Sequence, residues 1–217
     1  IIDDAAQLDV RRVMLLGGGE PLLARGATAD LMRRIKSAGM EGVLSTNGLL
    51  IGEEMAETLV SSGWDEVQIS LDAPDPAVND YLRGTPGALT KVARNLCRLS
   101  GIRRKSGSDL PRLLCHSVIT NKNFRDLDRL VAFASALGAY RINVDALIAY
   151  RAEQRALLLS DEERAELPDH VARALEVARE CGIDHNLEHL ADPRATERGQ
   201  MELPRTGPAD VAHASCL

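Results

Sequence analysis

Val13-Met14-Leu15-Leu16-Gly17-Gly18-Gly19-Glu20-Pro21 is the stretch whose reading decides the fold. An apolar run that halts at three glycines, an acid and a proline reads as a buried strand running into a loop. The glycines permit positive φ and let a ligand approach the backbone. Pro21 fixes the turn that follows. Glu20 brings a carboxylate to the same point, which suits a small ligand carrying a positive charge. A tight turn with a solvated Glu is the plainer reading of the same residues.

Working outward, four further β-like runs follow, Gly42–Ser45, Glu66–Leu71, Leu113–Ile119 and Arg141–Leu147. They are rich in Val, Ile and Leu with little alternation, as expected of strands covered on both faces. Helical patterns over Thr28–Ala38, Glu53–Ser62, Pro86–Leu99 and Asn123–Leu137 separate them. Asp75–Arg83 reads as a short helix or lid, and Ser160-Asp161-Glu162-Glu163 as a capped helix start. This alternation predicts an α/β fold with a parallel sheet. From His185 onward the chain is polar and irregular, with Pro193, Pro204 and Pro208. Residues 1–150 are expected to form the strand-bearing domain, 151–190 a helical segment, and 191–217 a linker toward another module.

The 217 residues are enough for one sizeable domain. A net charge of −6 argues against nucleic acid as a partner. Aromatic residues make up only 3%, with Trp64 the sole tryptophan, so the core must be built from Leu, Val, Ile and Ala. No apolar run approaches the roughly 18 residues that span a bilayer. Ile1-Ile2-Asp3-Asp4 does not resemble a signal peptide, so a cytoplasmic protein without a membrane partner is expected. The lack of an initiator Met and the polar end suggest a fragment cut at both ends. Cys97, Cys115, Cys181 and Cys216 are too widely spaced for a local metal cluster. Cys97 and Cys115 read as buried small hydrophobes.

In parallel βα architectures, working groups sit where strands end. Ser45-Thr46-Asn47-Gly48 offers hydroxyls and an amide, although Asn-Gly is also a common turn. In Ser70-Leu71-Asp72-Ala73 the alternation sends Ser70 and Asp72 to one face, where two polar groups need partners. Arg83 can return to the same place as a carboxylate clamp. Thr120 and Asn121 read as turn residues and Asn123 as a helix cap, while Asn143 and Asp145 can face the interior. Of the five histidines, only His116 lies on a predicted core strand. There is no Gly-x-Ser-x-Gly elbow and no Walker loop.

The ordered set Leu16-Gly17-Gly18-Gly19-Glu20-Pro21-Leu22, Ser45-Thr46-Asn47-Gly48, Gln68-Ile69-Ser70-Leu71-Asp72-Ala73, Tyr81-Leu82-Arg83-Gly84 and Val118-Ile119-Thr120-Asn121-Lys122-Asn123 resembles the radical S-adenosylmethionine (radical SAM) superfamily. The resemblance implies a partial (β/α)6 TIM-like barrel whose first strand is missing here. It implies a [4Fe–4S] cluster that binds S-adenosylmethionine, and one-electron cleavage to a 5′-deoxyadenosyl radical that abstracts a substrate hydrogen. Carried over by motif, Gly18, Gly19 and Glu20, with Pro21 shaping the turn, contact the methionine ammonium. Ser70 and Asp72 contact the ribose or methionine, Arg83 the methionine carboxylate, and Ser45 and Asn47 line the same cavity. A peptide or small-molecule substrate and an electron donor such as a flavodoxin or ferredoxin are implied.

The family's Cys-x3-Cys-x2-Cys loop precedes the Gly-Gly-Glu-Pro loop, yet none of the 16 residues before Gly17 is Cys. The resemblance thus places the cluster ligands outside this chain and implies that the chain does not turn over alone. Cys216 resembles the entry to a SPASM-type auxiliary-cluster domain, whose members often modify peptides. Two other classes fit the residues. One is an iron-independent barrel lyase or hydrolase whose glycine loop binds phosphate. The other is a degenerate barrel that only binds a ligand.

Overall fold

Each strand is followed by a helix that turns one apolar stripe toward the sheet, and this repeats from β1 (Arg12–Leu15) to β5 (Ala139–Ala146). A computed structural model describes residues 1–17 and 19–191. Between β1 and β5 lie β2 (Glu41–Thr46), β3 (Glu66–Ser70) and β4 (Arg112–Ile119), and β6 (Asp184–His185) follows as the last strand. The helices are α1 (Ile2–Gln7), α2 (Arg25–Ser37), α3 (Glu53–Ser61), α4 (Pro76–Arg83), α5 (Ala88–Ser106), α6 (Leu127–Ala136) and α7 (Asp161–Cys181). One six-stranded sheet has the order β1-β2-β3-β4-β5-β6. The α/β expectation holds, with parallel pairing registered for β1 on β2, β2 on β3 and β5 on β6.

Two compact units divide the described chain. Among the described residues, Ile1–Ser70 and Gly87–Leu114 form the first, and Leu71–Pro86 with residues 115–191 form the second. The first has its core in Leu22, Met32, Ile35, Val43, Leu44, Leu59, Trp64, Val67, Ile69 and Leu96, all essentially buried. The Trp64 ring packs against Gly42 of β2, so close that a Cβ at Gly42 would stand 2.3 Å from it. Asp65 then accepts the Gly42 N–H at 2.7 Å and Lys36 Nζ at 2.6 Å, which fixes the α3–β3 turn beside β2. The core of the second unit is Phe124, Leu127, Leu130, Val131, Ile142, Val144, Ala174 and Leu187.

Sequence patterning located the first five strands, but β6 was not expected. Its two polar residues carry no periodic signal, and it is identified only by its pairing with Arg141 and Ile142. β1 is not covered on both faces as its apolar run suggests, since Met14 is 45% exposed at the edge of the sheet. Helix α5 runs past Leu99 to Ser106, because the basic residues Arg103, Arg104 and Lys105 suit its last turn. Ser160 does cap α7, in a capping box with Glu163. Asn123 does not act as a side-chain helix cap. Cys115 is buried as expected, but Cys97 is exposed, on the outer side of α5. No described helix is long and apolar enough to cross a membrane.

Candidate functional site

The loop after β1 is held by Glu20. Its Oε1 accepts the Leu22 N–H at 3.1 Å and the Thr46 hydroxyl at 2.6 Å. Its Oε2 accepts the Asn47 N–H at 2.8 Å. Pro21 opens the short 3-10 turn Pro21–Ala24, and its carbonyl accepts the buried Thr28 hydroxyl at 2.7 Å. A carboxylate has about four acceptor positions, so the chain itself fills three of those on Glu20. Glu20 thereby ties the end of β1 to the end of β2. Gly17 and Gly19 have φ of +90° and +132°, and a Cβ on either would meet open space. They leave bare backbone beside the carboxylate. Gly18 lies outside the described residues.

Beyond β2 the chain turns on Asn47, whose Oδ1 accepts the Leu49 N–H at 2.9 Å. Gly48 follows at φ +76°, where a Cβ would press on Ile69 and Val92 at 3.3 Å. Buried Asn95 of α5 donates to the carbonyls of Gly48 at 2.9 Å and Leu49 at 3.3 Å, pinning the turn from below. The register pairs Ser45 with Gln68, so Ser45, Gln68 and Ser70 share one face of the sheet. All three are half-buried, and their side chains take no partner among the described residues. These groups, with Asn47 Nδ2, form an uncommitted polar face in the first unit.

The second unit holds a separate polar cluster around Asp72, which is only 5% exposed. Asp72 Oδ1 accepts the Val118 N–H at 2.9 Å, and Oδ2 accepts Arg83 Nη1 at 3.3 Å. The Asp72 N–H donates to Asn79 Oδ1 at 3.0 Å. Asn123 Nδ2 donates to the carbonyls of Asp72 at 2.7 Å and Val118 at 2.9 Å. Its Oδ1 accepts the Thr120 N–H at 2.7 Å. Asn123 is thus spent on joining the backbone at Asp72 to that of Val118 and Thr120, which is why it does not cap the following helix.

The structure brings Glu20 together with Asn47, Ser45 with Ser70, and Asp72 with Arg83. Sequence reasoning missed Gln68, Asn79 and Asn95 as parts of these networks. Gln68 carried a signal, since it stands two residues before Ser70 in a strand. Asn79 and Asn95 sit in helices, where only the fold reveals a buried carboxamide. His116 and Asp145 also meet in the second unit, at 2.7 Å.

Residues 1–134 match the family model for the radical SAM superfamily. The PqqA peptide cyclase of Granulibacter bethesdensis is 31% identical, over 76% of this chain and 46% of that protein. The AdoMet-dependent heme synthase of Methanosarcina barkeri is 29% identical, over 68% of this chain and 40% of that protein. In three dimensions the chain resembles Streptococcus suis SuiB bound to S-adenosylmethionine, with a TM-score of 0.68 and 18% identity, over 89% of this chain and 44% of that one. That likeness concerns the fold alone. The chain spans less than half the length of these relatives. With more than half of its residues matched by the family model and the strand-end motifs in their expected order, the chain belongs to the radical SAM superfamily.

Proposed function

We propose that this chain binds S-adenosylmethionine at the strand ends of its first unit and serves hydrogen abstraction from a peptide. The observation that carries the reading is the polar face of Ser45, Gln68 and Ser70, uncommitted beside an open glycine loop. The family uses S-adenosylmethionine and a [4Fe–4S] cluster. The donor set fits the first of these. Hydroxyls and the Asn47 amide suit a carboxylate and ribose hydroxyls, and the side-chain-free backbone at Gly17 and Gly19 admits an ammonium group. When bound, S-adenosylmethionine supplies radical chemistry at a substrate carbon. The chain's part is to orient it, and Glu20 does so by fixing the two loops, with one acceptor position left for the ligand.

The described residues do not fit the cluster. None of them forms a group of three metal-ligating side chains. Cys216, read as a possible ligand of an auxiliary cluster, lies outside the described residues. The peptide substrate is supported by the likeness to a peptide cyclase. The reading also includes an electron donor such as a flavodoxin or ferredoxin.

Calorimetric titration of the chain with S-adenosylmethionine tests the binding. Ser45→Ala and Ser70→Ala should each weaken affinity about 3- to 10-fold, the worth of one hydrogen bond. Unchanged affinity in the double variant overturns the site. For the substrate, deuterium from a labelled peptide should appear in 5′-deoxyadenosine made by a reconstituted protein that joins this chain to a cluster-binding segment.

A further inference from the structure

We infer that a basic groove on the outside of the first unit, walled by Arg25, Lys91, Arg94 and Arg98, binds an acidic segment of the peptide substrate. The groove measures about 640 Å³ and is open to solvent, and none of its lining residues is acidic. This is notable in a chain of net charge −6. Lys91, Arg94 and Arg98 are spaced i, i+3, i+7 on α5, so they fall within one 60° arc of the helix. At about 1.5 Å of rise per residue, the three cations span roughly 10 Å. Like charges so placed oppose helix formation. No ion pair among the described residues relieves them, and Arg98 only donates to Asn95 Oδ1 at 3.3 Å.

An anion on this face relieves the repulsion. A row about 10 Å long is too extended for a single phosphate and matches about three residues of extended peptide. The same groove is floored by half-buried Leu49 and Leu50, which suit side chains of a peptide rather than a mineral anion. Its concavity favours a chain segment over the broad face of a folded protein. The groove is coupled to the candidate cofactor site through one residue. Asn95 holds Arg98 with its oxygen, and the Gly48 and Leu49 carbonyls with its nitrogen. Asn47, next in line, is held by Glu20. An acidic segment seated here therefore bears on the loop that fixes Asn47.

This inference rests on the peptide-modifying reading, and its test separates the two. The 217-residue chain is titrated by fluorescence anisotropy with a labelled nonapeptide carrying Asp or Glu at alternate positions, and with its Asn/Gln counterpart. The acidic peptide should bind at least 10-fold tighter, with affinity falling steeply as salt rises. Lys91→Gln/Arg94→Gln should weaken it at least 10-fold while S-adenosylmethionine affinity stays within 2-fold. Lys91→Glu/Arg94→Glu should abolish it, with circular dichroism confirming the fold. Equal binding of both peptides, or full affinity in the Gln double variant, overturns the inference. So does displacement by pyrophosphate at concentrations below the peptide's own, which would mark a phosphate site. Loss of S-adenosylmethionine binding by the wild-type chain would instead count against the functional reading.

Discussion

Glu20 Oε2 accepts the backbone N–H of Asn47 across 2.8 Å, so a side chain from the loop after β1 fixes the backbone of the loop after β2. The same carboxylate accepts the Thr46 hydroxyl, which in turn accepts the Gly48 N–H at 3.1 Å. Glu20→Ala removes the shared acceptor and leaves the Asn47 N–H and the Thr46 hydroxyl without it. We expect a stability loss of about 1–3 kcal/mol in urea denaturation, the cost of stranded polar groups. S-adenosylmethionine affinity should fall at least 10-fold in calorimetry, because Asn47 is no longer placed. Glu20→Gln keeps one oxygen and should lie between the two. An Ala variant with normal stability would show that the loops hold themselves.

Gly42 is set by the ring above it rather than by its own backbone. A Cβ there would overlap Trp64 Cη2 at 2.3 Å, and the ring has no slack because Trp64 is fully buried. Gly42→Ala should therefore cost about 1–3 kcal/mol through overpacking. Trp64→Leu alone should also destabilise, by opening a void. Combined, the two changes should cost less than the sum of their separate effects, by at least 0.5 kcal/mol, since the clash needs both groups. Strict additivity in a denaturation double-mutant cycle would refute the contact.

Asp72 joins the Val118 N–H to the Arg83 guanidinium, with its own side chain 7% exposed and that of Arg83 22% exposed. Asp72→Ala leaves a mostly buried cation and a backbone donor unpaired. A loss of about 2–4 kcal/mol follows, below the figure for a fully buried pair because Arg83 keeps some water. Asp72→Asn preserves an acceptor for Val118 and should lose about half as much. Thermal unfolding monitored by circular dichroism distinguishes the two. If Asp72→Ala is as stable as the wild type, the carboxylate is free to serve a ligand instead.

These networks show which parts of the molecule the residues announce. The strands before Gly17, Thr46 and Ser70 are legible because apolar runs of four or more residues end at glycine, hydroxyl and acid. The pairing of Asp72 with Arg83 is half legible: the two were expected at one place, but as contacts to a ligand rather than to each other. A sequence shows that a carboxylate needs a partner, not whether the chain already supplies it. Asn95 and Asn79 were invisible for the opposite reason, since a carboxamide on a helix looks solvated until the facing carbonyl is known. The exposure of Cys97 depends on which arc of α5 faces the sheet, and one residue of drift in that arc reverses it.

Cys115 provides a chemical check on the core of the second unit. Burial in the apolar interior pushes its thiol up to about 12, because desolvation penalises the thiolate. Cys97 and Cys181 are exposed. At pH 8, iodoacetamide should label Cys97 and Cys181 within minutes, while Cys115 reacts only on unfolding, as read by peptide mass spectrometry. The raised value also sets a direction for stability. Between the ordinary thiol value of 9.0 and about 12 the folded thiol keeps a proton that the unfolded chain has lost. Its contribution is therefore intact below pH 9 and declines as pH rises through that window. Cys115→Ala should start from lower stability, because it leaves a small cavity, and should show a shallower alkaline decline between pH 9 and 11. Equal alkaline slopes in the two proteins, or rapid labelling of Cys115 at pH 8, would place that thiol in contact with water.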